Sequence, residues 1–177
     1  YGVRLFVVDN PDELGKFVRY RKRAEVMIRV SFRAPNAVCD LSKKFGCDPE
    51  AVPELLALAR RLGVRVAGLS FHVGSQAGGP DMHVQAVDAC VELIRTARER
   101  NLAELEVLDI GGGFPVDYVA PAMPIEEFCA PIRAALAHVP DGVRLIAEPG
   151  RYIAAPAGTC VASVMGRAKR DGRWWYY

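Results

Sequence analysis

Apolar residues gather into five short runs, each closed by polar or turn-forming residues: RLFVVD (4–9), EVMIRV (25–30), VRVAGLSFHV (64–73), LEVLDIG (105–111) and VRLIAE (143–148). Near-continuous apolarity over so few residues predicts strands covered on both faces, as in a parallel sheet flanked by helices. The segments between them carry helical spacing. Asn10-Pro11-Asp12-Glu13 offers an N-cap, a proline at the first helical position and a glutamate at the third. Val84, Val87, Val91 and Ile94 form one stripe in a helix from Pro80 to Arg100. Ile125, Phe128, Ile132 and Leu136 form another, which Pro131 should bend. A helix near Glu54 to Leu62 ends at Gly63, a left-handed cap position. Its start is blurred by Pro49 and Pro53, which do not fit together in one regular turn.

Strand ends near residues 31, 73, 111 and 149 recur about every 40 residues, so the fold class is α/β. Either an open doubly wound sheet or part of an eightfold barrel fits; a full barrel needs about 250 residues, and only five units are visible. Residues 1–151 hold those units. Beyond them, AGTCVASVMGRAKRDGRWWYY lacks helical periodicity and reads as a strand, a turn at Asp171-Gly172 and another strand. Residues 152–177 are therefore expected to begin a second, β-rich domain. Both chain ends, YGVRLFVVD and GRWWYY, read as strand, and such open pairing edges predict a piece of a longer polypeptide.

Composition narrows the partners. Of 177 residues, 51% are apolar and 25% charged, with a formal net charge of +2, so a real core is available and no field favours nucleic acid or a membrane surface. The basic cluster Arg19 to Arg23 sits at a helix end and reads as a solvated face. The five cysteines are an odd number without a C-x-x-C pair, which argues against a disulfide framework or a zinc site and fits reduced thiols in the cytoplasm. Cys39 and Cys47 flank a polar loop with Lys43 and Lys44, with nothing further to mark a reactive thiol. No apolar run is long enough to span a bilayer, and no signal-peptide pattern opens the chain.

The chemistry concentrates at the carboxyl ends of the strands, which form the site rim in parallel α/β folds. Arg29 comes first, then Ser70-Phe71-His72-Val73-Gly74-Ser75, then Asp109 with Gly111 to Gly113, then Glu148-Pro149-Gly150-Arg151. The triglycine has no following lysine for a phosphate loop, and Val116 breaks G-x-G-x-x-G. It reads either as a tight turn with positive φ or as a bare-backbone anion site, with Gly150 and Arg151 as a second donor set. Glu148 at the mouth of a buried strand needs a partner: Arg29, Arg151 or a cationic ligand atom. His72 taken singly is as ordinary as a structural histidine, and His83 and His138 read as surface residues.

SFHVGSQ (70–76), LDIGGGFP (108–115) and AEPGRY (147–152), in this order, resemble the ornithine decarboxylase family, as do MIRV (27–30) and LSKKFG (41–46). The resemblance implies a pyridoxal 5'-phosphate enzyme with an alanine-racemase-like TIM barrel, of which this chain is a part, followed by a β domain. It implies that His72 stacks on the pyridoxal ring, that Ser75, Gly113, Gly150 and Arg151 hold the phosphate, and that Gly111 and Gly112 shape the loop. Glu148 would pair with the protonated ring nitrogen and Arg29 would position the cofactor. A carboxylate beside that nitrogen favours its charged form, which suits decarboxylation rather than racemization.

The implied reaction is decarboxylation of a basic amino acid, ornithine to putrescine first, with lysine or diaminopimelate as alternatives, in a cytoplasmic homodimer. The family's cofactor-bearing lysine is expected upstream of Tyr1, since neither Lys43 nor Lys44 has its context, and its cross-interface cysteine and aspartate beyond Tyr177. These residues alone are thus expected neither to fold stably nor to turn over. A non-catalytic regulatory homologue, or a barrel enzyme binding a phosphorylated metabolite, are the competing readings.

Overall fold

The computed structural model describes residues 1–33, 37–39, 41–42, 44–118 and 120–177. Its elements run β1 (Leu5–Val8), α1 (Pro11–Lys16), β2 (Glu25–Val30), β3 (Ala37–Cys39), α2 (Val52–Leu62), β4 (Val66–Phe71), β5 (Ser75–Ala77) and α3 (Asp81–Glu99), then β6 (Val107–Asp109), α4 (Ile125–Leu136), β7 (Arg144–Ile146), α5 (Gly150–Ala154), β8 (Arg167–Arg170) and β9 (Arg173–Tyr176).

The five expected strands pair side by side, all parallel, in the order β1-β2-β4-β6-β7. That spatial order never reverses along the sequence. A doubly wound sheet turns back at a switch point, whereas a barrel adds each strand beside the last. The sheet is therefore a five-strand sector of a barrel, with β1 and β7 at its two edges.

Local chemistry explains the helices. Asn10 Oδ1 accepts from the Glu13 N–H at 2.9 Å, capping α1 with Pro11 in its first turn. Pro49 and Pro53 are reconciled by splitting the segment: Pro49 opens a 3₁₀ turn, and Pro53 lies in the first turn of α2, where its missing N–H costs nothing. Gly63 closes α2 at φ 68°. The α4 helix continues through Pro131, which lies on its exposed face, so the carbonyl left unpaired reaches water.

The core lies between the sheet and the helix layer. Leu55, Leu56 and Ala59 of α2, Val87, Val91 and Ile94 of α3, and Phe128 and Ile132 of α4 pack against Ile28, Leu69 and Leu108 of the strands. All six residues of β4 are buried.

Three readings from sequence change. The third strand stops at Phe71 rather than Val73, because the chain turns at Gly74 (φ 88°) into β5, which pairs antiparallel with β3. Pro149-Gly150-Arg151, read as a strand exit, caps and opens a short helix. His83 is fully buried, not on the surface, whereas His138 is exposed. The C-terminal hairpin is as expected around Asp171 and Gly172, both at positive φ as a two-residue primed turn requires, although its first strand is only Arg167–Arg170.

Candidate active site

Register builds the site. Arg29 of β2 lies opposite Ser70 of β4, Ser70 opposite Asp109 of β6, and Asp109 opposite Ile146 of β7. Neighbours in one register row of a parallel sheet point to the same face, and the next residue on that face is two further along. The following row is His72, Gly111 and Glu148. Backbone bonds carry the pairing past the strand ends: Ile110 N donates to Ile146 O at 2.9 Å, and Glu148 N to Gly111 O at 2.8 Å. The structure thus brings Arg29, His72, the triglycine and Glu148 to one rim, together with Asp109.

The charges on this rim feel one another. His72 is half-buried, and its Nδ1 accepts from the Gly74 N–H at 3.0 Å, which leaves the proton of the neutral ring on Nε2. Burial, then the Arg29 charge, pushes the His72 pKa down, with Asp109 opposing. The Glu148 side chain is still open to solvent, yet partial desolvation and the Asp109 carboxylate push its pKa up, with Arg29 opposing. Among the described residues Glu148 has no ion-pair partner: neither Arg29 nor Arg151 takes that part. The Arg29 guanidinium instead lies 5.0 Å from the centre of the Phe45 ring. Asp109 is buried, and its Oδ1 accepts from the Gly111 N–H at 2.9 Å.

The three glycines are demanded by their neighbours. A Cβ at Gly111 would lie 2.1 Å from the Phe71 carbonyl oxygen, one at Gly112 2.6 Å from the Glu148 oxygen and 3.0 Å from His72 Nε2, and one at Gly113 2.4 Å from the Gly74 oxygen. Gly111 (φ 64°) and Gly113 (φ 103°) also occupy left-handed backbone. Three strand exits therefore converge here too closely for any side chain. The carbonyls of all three glycines are engaged, by Glu148 N, His83 Nε2 and Ala77 N respectively. The N–H groups of Gly112 and Gly113 have no acceptor among the described residues, so the turn and the anion-site readings are compatible.

On the outer side, Arg151 Nε donates to Ser75 Oγ at 2.9 Å, and its Nη1 to the Tyr118 hydroxyl at 2.7 Å. Ser75 and Arg151, 76 residues apart, are thus brought together. Gly150 opens α5 with open space where a Cβ would stand, and its N–H donates to the Glu148 carbonyl at 2.7 Å, so this particular backbone donor is already engaged. Lys43 lies outside the described residues, and Lys44 rests 5.0 Å from the Phe45 ring centre. Cys47 donates to the Arg29 carbonyl, and burial pushes its thiol up to about 11, so it is no thiolate at neutral pH.

Several contributors received no role from the sequence alone. Asp109, noted at its strand exit like Arg29, turns out to be buried in the rim and to hold the Gly111 N–H. Gln76 (φ 55°) clamps the loops together, donating from Nε2 to Val116 O at 2.8 Å and accepting at Oε1 from Val116 N at 2.9 Å. Nothing local in the sequence announces that pairing across 40 residues. Tyr118 and His83 complete the set.

Residues 1–155 match the family model described as "Pyridoxal-dependent decarboxylase, pyridoxal binding domain". The ornithine decarboxylase of Neurospora crassa is 39% identical over 171 residues, 94% of this chain and 34% of that protein. A lysine/ornithine decarboxylase from Vibrio vulnificus, solved with cadaverine, superposes with a TM-score of 0.84 at 49% identity, covering 100% of this chain and 46% of that one. The Paramecium bursaria Chlorella virus arginine decarboxylase bound to agmatine gives 0.77 at 29% identity, over 99% of this chain and 47% of that one. The chain spans between a third and a half of the length of these relatives. It belongs to the ornithine decarboxylase family of pyridoxal-dependent decarboxylases and carries the pyridoxal-binding domain of that family.

Proposed function

We propose that the protein to which this domain belongs decarboxylates a basic amino acid with pyridoxal 5'-phosphate, ornithine to putrescine first. The observation that carries the reading is the convergence on Gly112: the His72 ring, the Glu148 backbone and the triglycine turn meet at one point, with Arg29 and Asp109 in the row beneath. A ring with a cationic edge and a phosphate tail fits that set. When bound, pyridoxal phosphate supplies the electron-withdrawing ring that takes up the electron pair left at the substrate's α-carbon as carbon dioxide departs.

The residues divide the remaining work. Glu148, ionised, accepts the ring-nitrogen proton as a hydrogen bond and stabilises the positive charge there. Its raised pKa makes that ion costly when unpaired, so a cationic partner is favoured in its place. His72 presents a neutral imidazole for stacking, held by the Gly74 bond, and Arg29 keeps the field of the two carboxylates balanced. Ser75, Arg151 and the free N–H groups of Gly112 and Gly113 supply donors for the phosphate, and Gly111 and Gly150 leave the room.

The alternative substrate is lysine: two of the structural neighbours, at 49% and 48% identity, are lysine/ornithine decarboxylases complexed with cadaverine and with putrescine. The same proposal includes a homodimer, a cytoplasmic location and a division at about residue 151 between the barrel and a β-rich domain. No described helix is long and apolar enough to cross a membrane. The test is product analysis of the full-length protein with ornithine, lysine, arginine and diaminopimelate side by side. Putrescine formed with the highest kcat/KM supports the reading; a protein that binds no pyridoxal phosphate and releases no carbon dioxide from any of the four overturns it.

A further inference from the structure

His83 is fully buried in the first turn of α3. Its ring packs among Phe71, Phe114 and Phe128, with centroids 6.3, 5.2 and 5.5 Å away. Nε2 lies 3.1 Å from the Gly112 carbonyl oxygen, and Nδ1 is buried with no hydrogen-bond partner among the described residues. A carbonyl can only accept, so Nε2 carries the proton and Nδ1 is the bare lone pair. Burial lowers the His83 pKa to about 4, so the ring is neutral at physiological pH. Leaving one nitrogen unsatisfied in an aromatic pocket costs free energy, and a phenylalanine there would avoid that cost. The retained polar group needs a reason.

Peptide geometry supplies one. No peptide bond among the described residues is cis, and in a trans peptide the C=O and the following N–H point in opposite directions. Pulling the Gly112 carbonyl back toward the helix layer therefore turns the Gly113 N–H away from it. A pair of glycines can rotate that peptide freely unless something fixes it. We propose that His83 is a positioning residue for the phosphate: its Nε2–H holds the Gly112 carbonyl and so aims the Gly113 N–H at the rim. This rests on the pyridoxal phosphate reading above.

The experiment titrates full-length apoprotein with pyridoxal phosphate and with pyridoxal, which lacks the phosphate. Wild type prefers the phosphorylated ligand. His83→Phe loses about tenfold in affinity for pyridoxal phosphate and less than about twofold for pyridoxal, the size of one charge-assisted donor mis-aimed. His83→Gln, whose amide can still donate to Gly112, recovers most of the preference. Phe128→Leu, in the same ring cluster, lowers Tm but keeps it. A His83→Phe protein that retains the full preference, or loses both ligands in parallel, overturns the inference, as does a phosphate-specific loss in Phe128→Leu. A wild type that does not distinguish the two ligands overturns the cofactor reading itself. Should His83→Phe fail to fold, nitrogen-15 NMR of histidine-labelled wild type decides: an Nε2–H ring that stays neutral between about pH 5 and 8 is expected, and the Nδ1–H form overturns the proposal.

Discussion

The two sides of the candidate site are built differently. On one side, β4 is buried along its whole length, and the loop beyond β6 is tied by bonds from Asp109, His83, Gln76 and Ala77. On the other, β7 is the last strand of the five-strand sector, so within these residues Arg144 and Leu145 have no strand or helix over them, and a five-residue helix follows. His72 and the triglycine belong to the first side, Glu148 and Arg151 to the second. The closely packed side is held by contacts within this chain; within the same residues the outer side takes its alignment from β6 through a few backbone bonds. Substitutions on the two sides should therefore separate stability from chemistry.

The contrast breaks most severely at Gly111. In the full-length protein, Gly111→Ala forces a Cβ against the Phe71 carbonyl at left-handed φ, and should cost about 3 kcal/mol or more together with cofactor binding, read by thermal melting and ligand titration. Acid should test the same side. His83 has its pKa lowered from 6.5 to about 4, so the unfolded chain binds the proton more readily than the folded one. Its stabilisation is complete above pH 6.5 and lost as pH falls towards about 4, by about 3 kcal/mol in total. Denaturant melts against pH should show that slope, reduced in His83→Gln; an identical slope would contradict it.

On the outer side the order reverses. Glu148→Gln should lower kcat about a hundredfold with Tm moved by less than about 2 °C, since the Glu148 carboxylate makes no ion pair among the described residues and Gln keeps its shape. A large Tm loss with unchanged kcat would make Glu148 structural. Between the sides, Gln76→Ala should cost about 1–2 kcal/mol for two lost hydrogen bonds, and Gln76→Gly less, because glycine relieves the φ of 55°. The smallest effect is expected far from the rim, where Arg65 bridges Glu25 and Glu106 in solvent: Arg65→Met should change stability by under about 1 kcal/mol, checked by urea melts.

Much of this was legible in the residues. The five strands, the capped helices and the polar residues at strand exits follow from apolar runs and turn chemistry, which act over a few positions. The row of His72, Gly111 and Glu148 could have been written down by adding two to Ser70, Asp109 and Ile146. His83 could not. A histidine at the start of a helix looks solvated until the aromatic residues that enclose it, from β4, α4 and the loop after β6, are in place. The Gln76–Val116 and Ser75–Arg151 pairs are likewise products of loop closure between distant segments.

The amino-acid order by itself determined which segments become strand or helix and which residue types stand where strands end, because propensity, capping and periodicity are local. Tertiary structure alone decided that the sheet grows in one direction, that the glycines are squeezed between three neighbouring exits, and that one histidine turns inward to hold a carbonyl. Those outcomes depend on where separate parts of the chain meet, and close packing settles them only when all the neighbours are present.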